Sequence, residues 1–246
     1  MQLIEPDIAA YRSRYHASEL KRVSLCEEQS NLVVATTNDA KAAAEKSLLA
    51  NRRELKSHIA NNPDFLTSLV PVALDQPSDC PEIVRRMTDA SAKADVGPMA
   101  AVAGAIADVV GRSLLSNNTE VIIENGGDIF CRVSKKRVVG IYTQNSAQSI
   151  PLGIVVRPED GVQGICTSAG RNGGSLSFGM ADACCIVADT AALADATATA
   201  AGNLVKSTAD MDAALEFAMS IKGVRGAIII AKDRIGARGD IEVQEL

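Results

Sequence analysis

Aromatic side chains are scarce in this chain of 246 residues: they form 3% of it, and tryptophan is absent. Stacking of nucleic-acid bases on aromatic rings is therefore not expected as a main binding mode. The basic residues are scattered and the formal net charge is −5, which is a poor electrostatic match for nucleic acid. We expect no nucleic-acid partner, and a core of Ala, Val, Ile and Leu that is large enough to fold alone.

Histidine is almost missing, and the cysteines lack the spacing of a metal or disulfide site. The chain has only two histidines, His16 and His58, so histidine catalysis is not expected. The six cysteines form no Cys-x-x-Cys pair and are expected to be reduced thiols that mostly fill the core. Cys166 is the candidate for a reactive thiol, because exposed amides of a neighbouring glycine-rich segment would favour its thiolate. An inert cysteine is the alternative.

Long apolar runs are absent as well. Asp108 divides the longest candidate, from Met99 to Leu115, and the first residues carry acids where a secretory signal would carry bases. We therefore expect a cytoplasmic protein that has no membrane partner. The acids Asp95, Asp108 and Asp182 are expected to cap helices or to be exposed.

The hydrophobic pattern predicts an α+β fold. Strands are predicted at 11–20, 31–36, 119–124, 129–133, 138–143, 152–156, 181–187, 226–231 and 241–243. Helices are predicted at 39–61, 81–93, from 98 onward, at 189–203 and at 210–221. The strands between 119 and 143 are expected to form a meander. Both halves of the chain end in helix, strand, turn and strand, which predicts one domain with halves 1–145 and 146–246 and paired helices on one face of antiparallel strands.

Two glycine-rich segments carry groups that could bind a ligand. In the first, Asn125–Asp128, Gly126 and Gly127 would let backbone amides approach a ligand, and Asp128 would bind a hydroxyl or cap the turn. The second lies within 161–179 and contains Thr167, Ser168, Gly170 and Arg171. Its hydroxyls, amides and guanidinium suit a phosphate or pyrophosphate. An ordinary turn and a solvated loop are the alternatives.

The helix predicted at 189–203 has its few polar groups in register. Asp195, Thr199 and Asn203 are spaced i, i+4 and i+8, which places them along one helix face. Mg²⁺ needs only one or two protein carboxylates beside waters and substrate phosphates, so Asp195 and Thr199 would meet its demand. The alternative is an Ala-rich packing helix whose threonines bond back to the preceding turn.

These motifs resemble those of ApbE, the magnesium-dependent FAD:protein FMN transferase. Ala194–Thr199 resembles the Ala-Asp-Ala-x-x-Thr signature of that family, and Asn125–Ile129 looks like its Asn-x-Gly-Gly-Asp-Ile turn. Asp95–Ala100 is similar to the start of Asp-x-Gly-x-x-Ala-Lys-Gly, and Cys166–Gly170 stands where the family has Thr-Ser-Gly. The order of these motifs matches over roughly residues 85 to 245.

The chain also departs from the family pattern. Ala101 stands where the family has Lys, and the His-Ile-Ile-Asp-Pro-x-x-Gly segment is absent, with 172–179 in its place. These departures speak against flavin transfer. The chain looks most like the uncharacterised ApbE-like family, a divergent branch with the T-fold.

The resemblance implies a site and several functions. The implied metal ligands are Asp195, Thr199 and a backbone carbonyl near Ala100, and Asn125–Asp128 with Thr167–Gly170 would line a flavin or nucleotide cleft between the halves. The leading hypothesis is a Mg-dependent protein that binds FAD or another nucleotide and could transfer a nucleotidyl group. One alternative is a sulfur carrier with a persulfide on Cys166, acting in sulfur assimilation and homocysteine formation. The other is a non-catalytic T-fold subunit that works by assembling as a homo-oligomer.

Overall fold

The computed structural model describes residues 19–141, 152–168 and 179–246. In these ranges it contains eleven strands and six α-helices. The strands are β1 (Lys21–Glu27), β2 (Ser30–Thr36), β3 (Val121–Asn125), β4 (Asp128–Arg132), β5 (Arg137–Gly140), β6 (Leu152–Val156), β7 (Gln163–Ser168), β8 (Ala183–Ala188), β9 (Val224–Ala231), β10 (Arg234–Gly239) and β11 (Val243–Glu245). The helices are α1 (Lys41–Asn61), α2 (Asp64–Thr67), α3 (Glu82–Ala94), α4 (Val102–Leu114), α5 (Ala191–Leu204) and α6 (Met211–Ser220).

Eight strands form one antiparallel sheet in the order β1-β2-β3-β4-β7-β8-β9-β10. The order of elements repeats within it. A strand pair, a group of helices and a second strand pair make up β1 to β4, and the same series makes up β7 to β10. The two series meet where β4 pairs with β7. The predicted α+β fold with two similar halves is confirmed.

The helices cover one face of this sheet, and a second, small sheet covers part of the other. Alternation along β4 shows the arrangement: Phe130 packs among the helices, whereas Ile129 and Cys131 pack toward the small sheet. The small sheet has the order β11-β6-β5. The predicted meander of 119–143 is therefore wrong in its third strand, since β5 pairs with β6 and not with β4. Local patterning predicts that a strand exists but not which strand it pairs with.

Three strands, β1, β7 and β10, were missed, and the last two contain glycine. We predicted a glycine-rich segment where β7 lies, and a turn where β10 lies. Gly164 in β7 is required for packing, since a Cβ atom added to it would lie 2.3 Å from the Cα of Ala191 in α5. The strand predicted at 11–20 lies, up to residue 18, outside the described residues.

In the described parts of the chain, no single helix is both long and apolar enough to cross a membrane. Glu82–Ala94 and Pro98–Leu114 meet such criteria only together, and the chain bends by 106° between them.

Helices α4 and α5 approach so closely that a side chain would not fit at their contact. A Cβ atom added to Gly104 would lie 2.2 Å from the Ala191 carbonyl oxygen. The alanines that surround this point are completely buried in both helices, as Ala105 and Ala194 illustrate. Small residues in the two helices therefore allow backbone-to-backbone contact in the centre of the core.

Gly104→Ala is expected to destabilise the protein by about 1–3 kcal/mol, because the added methyl group overpacks this contact. The loss would oppose the higher helix propensity of alanine. Urea unfolding measures it. In the control Gly140→Ala, the new Cβ would meet only the end of the Leu246 side chain at 3.0 Å, so a small change is expected. An equal or greater free energy of unfolding for Gly104→Ala than for the wild type would contradict this packing.

Candidate functional site

The N-termini of α4 and α5 are capped by carboxylates from each other's helix. Asp108 in α4 accepts the backbone N–H groups of Ala191 and Ala192, each at 3.0 Å, and these begin α5. In return, Asp195 in α5 accepts the N–H of Gly104 at 2.9 Å, in the first turn of α4. A buried helix terminus needs partners for its free N–H groups and favours negative charge. Each helix therefore depends on the other for its cap.

Three polar side chains meet beside this contact. Asp128 begins β4 and stands opposite Cys166 of β7 in the sheet register. Cys166 is fully buried, and its thiol donates to the Ala191 carbonyl at 3.2 Å. The charge of Asp195 acts on Cys166, and the charge of Asp128 acts on Asp195. The structure thus brings one residue from each of β4, β7 and α5 to the start of α4.

The electrostatics of this cluster are unbalanced. Loss of contact with water raises the pKa of both Asp128 and Asp195, and the charge of Asp128 raises the pKa of Asp195 further. Glu124 acts in the same direction on Asp128. The N–H groups of Gly104 and Ala103 act against this shift on Asp195. Two carboxylates in such a position favour a shared proton or a bound cation.

The turn between β3 and β4 is tied to the same helix end. The side-chain amide of Asn125 donates to the Ala103 carbonyl at 3.0 Å, and the Gly127 N–H donates to Glu124 Oε1 at 3.0 Å. Gly126 and Gly127 have φ angles of +68° and +103°, which favour glycine. Space above the turn is open among the described residues, because a Cβ atom added to Gly126 would meet nothing within 4 Å.

The predicted site residues are only partly brought together. Asn125–Asp128 and Asp195 adjoin the same helix end, as the hydrogen bonds above show. Thr199 is buried one helical turn beyond Asp195. Ala100 lies in a 3₁₀ turn, Pro98–Ala101, which leads directly into α4. Gly170 and Arg171 lie outside the described residues.

Thr167 and Ser168 correct the prediction of a ligand-binding loop, because both belong to strand β7. Successive side chains of a strand point to opposite faces. The Thr167 hydroxyl accordingly bonds to Cys185, which packs toward the small sheet, so this hydroxyl points away from Asp195. Ser168 lies on the face of Cys166, and its buried hydroxyl has no hydrogen-bond partner among the described residues.

Sequence reasoning missed Glu124. Counted back from the two glycines, the asparagine of Asn-x-Gly-Gly-Asp-Ile falls on Glu124, and Asn125 falls on the variable position. Glu124 is buried and orients the turn through Gly127. A closer count of the motif would have found it.

The donor set near Asp195 is sparse. In residues 19–141, 152–168 and 179–246, no group of three or more His, Cys, Asp or Glu side chains could hold a metal ion. A cation here would therefore need a hydroxyl, a backbone carbonyl, waters or a ligand phosphate as additional ligands. Mg²⁺ tolerates such a set, since it keeps several waters and usually binds one or two carboxylates.

The glycine-rich segment whose amides we expected beside Cys166 lies, from residue 169 to 178, outside the described residues. Burial raises the pKa of its thiol well above the usual range, and the charges of Asp128 and Asp195 raise it further. A thiolate is therefore disfavoured at this position. The structure gives no support to a persulfide on Cys166.

Iodoacetamide at pH 8 is expected to modify Cys26 in the folded protein and to leave Cys166 unmodified, because Cys26 is exposed and Cys166 is buried. Peptide mass spectrometry measures both rates in one sample. Modification of the two thiols at comparable rates, without unfolding, would show that Cys166 is accessible.

Comparisons with known proteins give the chain its family. A family model described as AbpE bacteria matches residues 12–237. A UPF0280 protein of Methanocaldococcus jannaschii is 43% identical over 203 residues, which cover 80% of this chain and 82% of the relative. A UPF0280 protein of Methanosarcina acetivorans is 38% identical over 201 residues, or 81% of this chain and 78% of the relative.

Solved structures share the fold at low sequence identity. The flavinyl transferase ApbE of Pseudomonas stutzeri superposes with a TM-score of 0.59 at 13% identity, and covers 89% of this chain and 94% of its own. The ApbE protein of Thermotoga maritima gives a TM-score of 0.57 at 13% identity, with coverages of 91% and 96%. The chain therefore belongs to the AbpE bacteria family, an ApbE-like family whose fold is that of the ApbE flavin transferases.

Proposed function

We propose that this protein binds FAD, or another nucleotide with a pyrophosphate group, together with Mg²⁺. The observation that carries the proposal is the pair of carboxylates Asp128 and Asp195, which lie beside a glycine turn that is open among the described residues. The charge of Asp128 raises the cost of ionising Asp195. The strongest charges acting on them are other carboxylates. A divalent cation would neutralise the pair and would attract a phosphate to the turn.

The residues present fit a magnesium ion. Asp195 and Thr199 would provide a carboxylate and a hydroxyl from one helix face, and the Ala100 carbonyl would provide a third oxygen. The Gly104 N–H, which a continuous α-helix would donate to Ala100, donates to Asp195. All three groups would bind the metal through oxygen atoms, the ligands that Mg²⁺ prefers. When bound, the ion would supply Lewis-acid stabilisation of phosphate charge.

The neighbouring structures are named as flavin transferases. For this chain we propose that the nucleotide is bound, and we do not propose that flavin is transferred. Ala101 stands where the family has Lys, and its methyl group is fully buried. It can neither hold a phosphate nor move a proton. The role of the chain's own residues is then to orient the nucleotide: Asn125 fixes the turn on α4, and Asp195 fixes the cation.

Removal of the Thr199 hydroxyl tests the proposal without disturbing the helix cap. Thr199→Val is expected to weaken FAD binding in the presence of Mg²⁺ about tenfold or more, since even indirect partners of a metal are worth that much. Titration calorimetry with and without EDTA measures the affinity. EDTA should abolish the difference between the variant and the wild type.

Thr197→Val provides a matched control on the same helix. Thr197 is completely buried, and its hydroxyl has no partner among the described residues. Its replacement should leave FAD affinity unchanged. Equal losses in the two variants, or FAD affinity of the wild type that does not respond to Mg²⁺, would refute the proposed function.

A further inference from the structure

We propose that Asp108 is a positioning residue for Asp195, and that it sets the affinity of the site for a divalent cation without contacting the ion. The cation-binding part of this inference rests on the proposed function. The positioning part rests on the geometry of four residues, Gly104, Asp108, Ala191 and Asp195, which we call the capping quartet.

The capping quartet is symmetric in its spacing. Asp108 follows Gly104 by four residues in α4, and Asp195 follows Ala191 by four residues in α5, so each pair lies on one helix face. Asp108 accepts from Ala191, and Asp195 accepts from Gly104. Where the two helices cross, Gly104 leaves no room for a side chain against the Ala191 carbonyl. Each carboxylate thus holds the backbone to which the other carboxylate is attached.

Asp108 is the inner member of this arrangement. It is completely buried, and its two oxygens accept one N–H each, from Ala191 and Ala192. Asp195 is only partly buried, and only its Oδ2 holds the Gly104 N–H. Asp108 therefore acts only as a helix cap, whereas Asp195 can cap a helix and also bind a ligand.

Asp108 also influences how α5 packs on the sheet, because Ala191, which it holds, contacts β7. The Ala191 carbonyl accepts the Cys166 thiol, and Gly164 allows β7 to touch the backbone at Ala191. When Asp108 fixes Ala191, it fixes the start of α5 against both α4 and β7. Asp195 lies one turn further along α5, so its carboxylate is then held in position to accept the Gly104 N–H.

Asp108→Asn removes half of this interaction. An asparagine side chain can accept from one N–H with its carbonyl oxygen, but its amide would place a donor against the second N–H. The start of α5 should loosen, and Asp195 should cap Gly104 less often. We expect the amide of Gly104 to exchange with solvent deuterium about tenfold faster in the metal-free variant, a change on the scale of a lost cap.

The second readout uses Mn²⁺ as the probe, followed by electron paramagnetic resonance. Asp108→Asn is expected to weaken Mn²⁺ binding about tenfold, the lower end of the range for residues that orient metal ligands. Asp210→Asn is the matched control, since Asp210 also accepts two backbone N–H groups, from Lys206 and Ser207, but in the turn that leads into α6. It should change neither Gly104 exchange nor Mn²⁺ affinity.

The two readouts separate the two claims. Unchanged exchange of Gly104 in Asp108→Asn would overturn the positioning role, whatever happens to Mn²⁺. Faster exchange in a protein whose wild type does not bind Mn²⁺ would keep the positioning role and reject the proposed function. If Asp108→Asn fails to fold, Asp108→Ser replaces it, because a hydroxyl oxygen can accept from at most one N–H group at a time and brings no amide donor against the other.

Discussion

The contact between the N-termini of α4 and α5 is the constraint on which the rest of the structure depends. Two helix ends, each with free N–H groups, meet inside the core, where water cannot satisfy them. Asp108 and Asp195 solve this problem reciprocally. Burial of these acids is costly, since loss of water raises the pKa of both. The helix-terminal N–H groups offset part of that cost, which explains why carboxylates occupy a buried contact between two alanine-rich helices.

The same contact requires small side chains around it. Backbone can touch backbone at Gly104 and Ala191 only where neighbouring residues are small. The glycine in β7 serves this purpose too, since it brings the sheet against the start of α5. Such close packing places residues from β4, β7 and α5 around one helix end. A binding site can then form from short side chains, which have little conformational entropy to lose on binding.

Much of this arrangement could be predicted from local patterns, and the remainder required contacts between distant residues. The helix around Asp195 was predicted correctly because its polar residues repeat at helical spacing. Strand β7 was missed because its glycine looks like a loop residue when α5 is not considered. The wrong expectation that the Thr167 hydroxyl faces a ligand was a consequence of the same error. Asp108 was expected to cap a helix or to be exposed; it is buried and caps α5, but its partners lie 83 and 84 residues away in the chain, so no local motif could identify them.

The site has a ligand-binding character because one member of the capping quartet remains partly accessible. Asp195 lies with Asp128 beside the glycine turn, and within the described ranges no positive charge is a main influence on the pKa of either carboxylate. Anomalous diffraction from a crystal grown with Mn²⁺ and FAD would test the cation site most directly. We expect a manganese peak about 2.1 Å from an oxygen of Asp195, a distance typical of Mg²⁺ sites, with the FAD pyrophosphate on the same ion. Bound FAD without metal beside Asp195 would contradict this account.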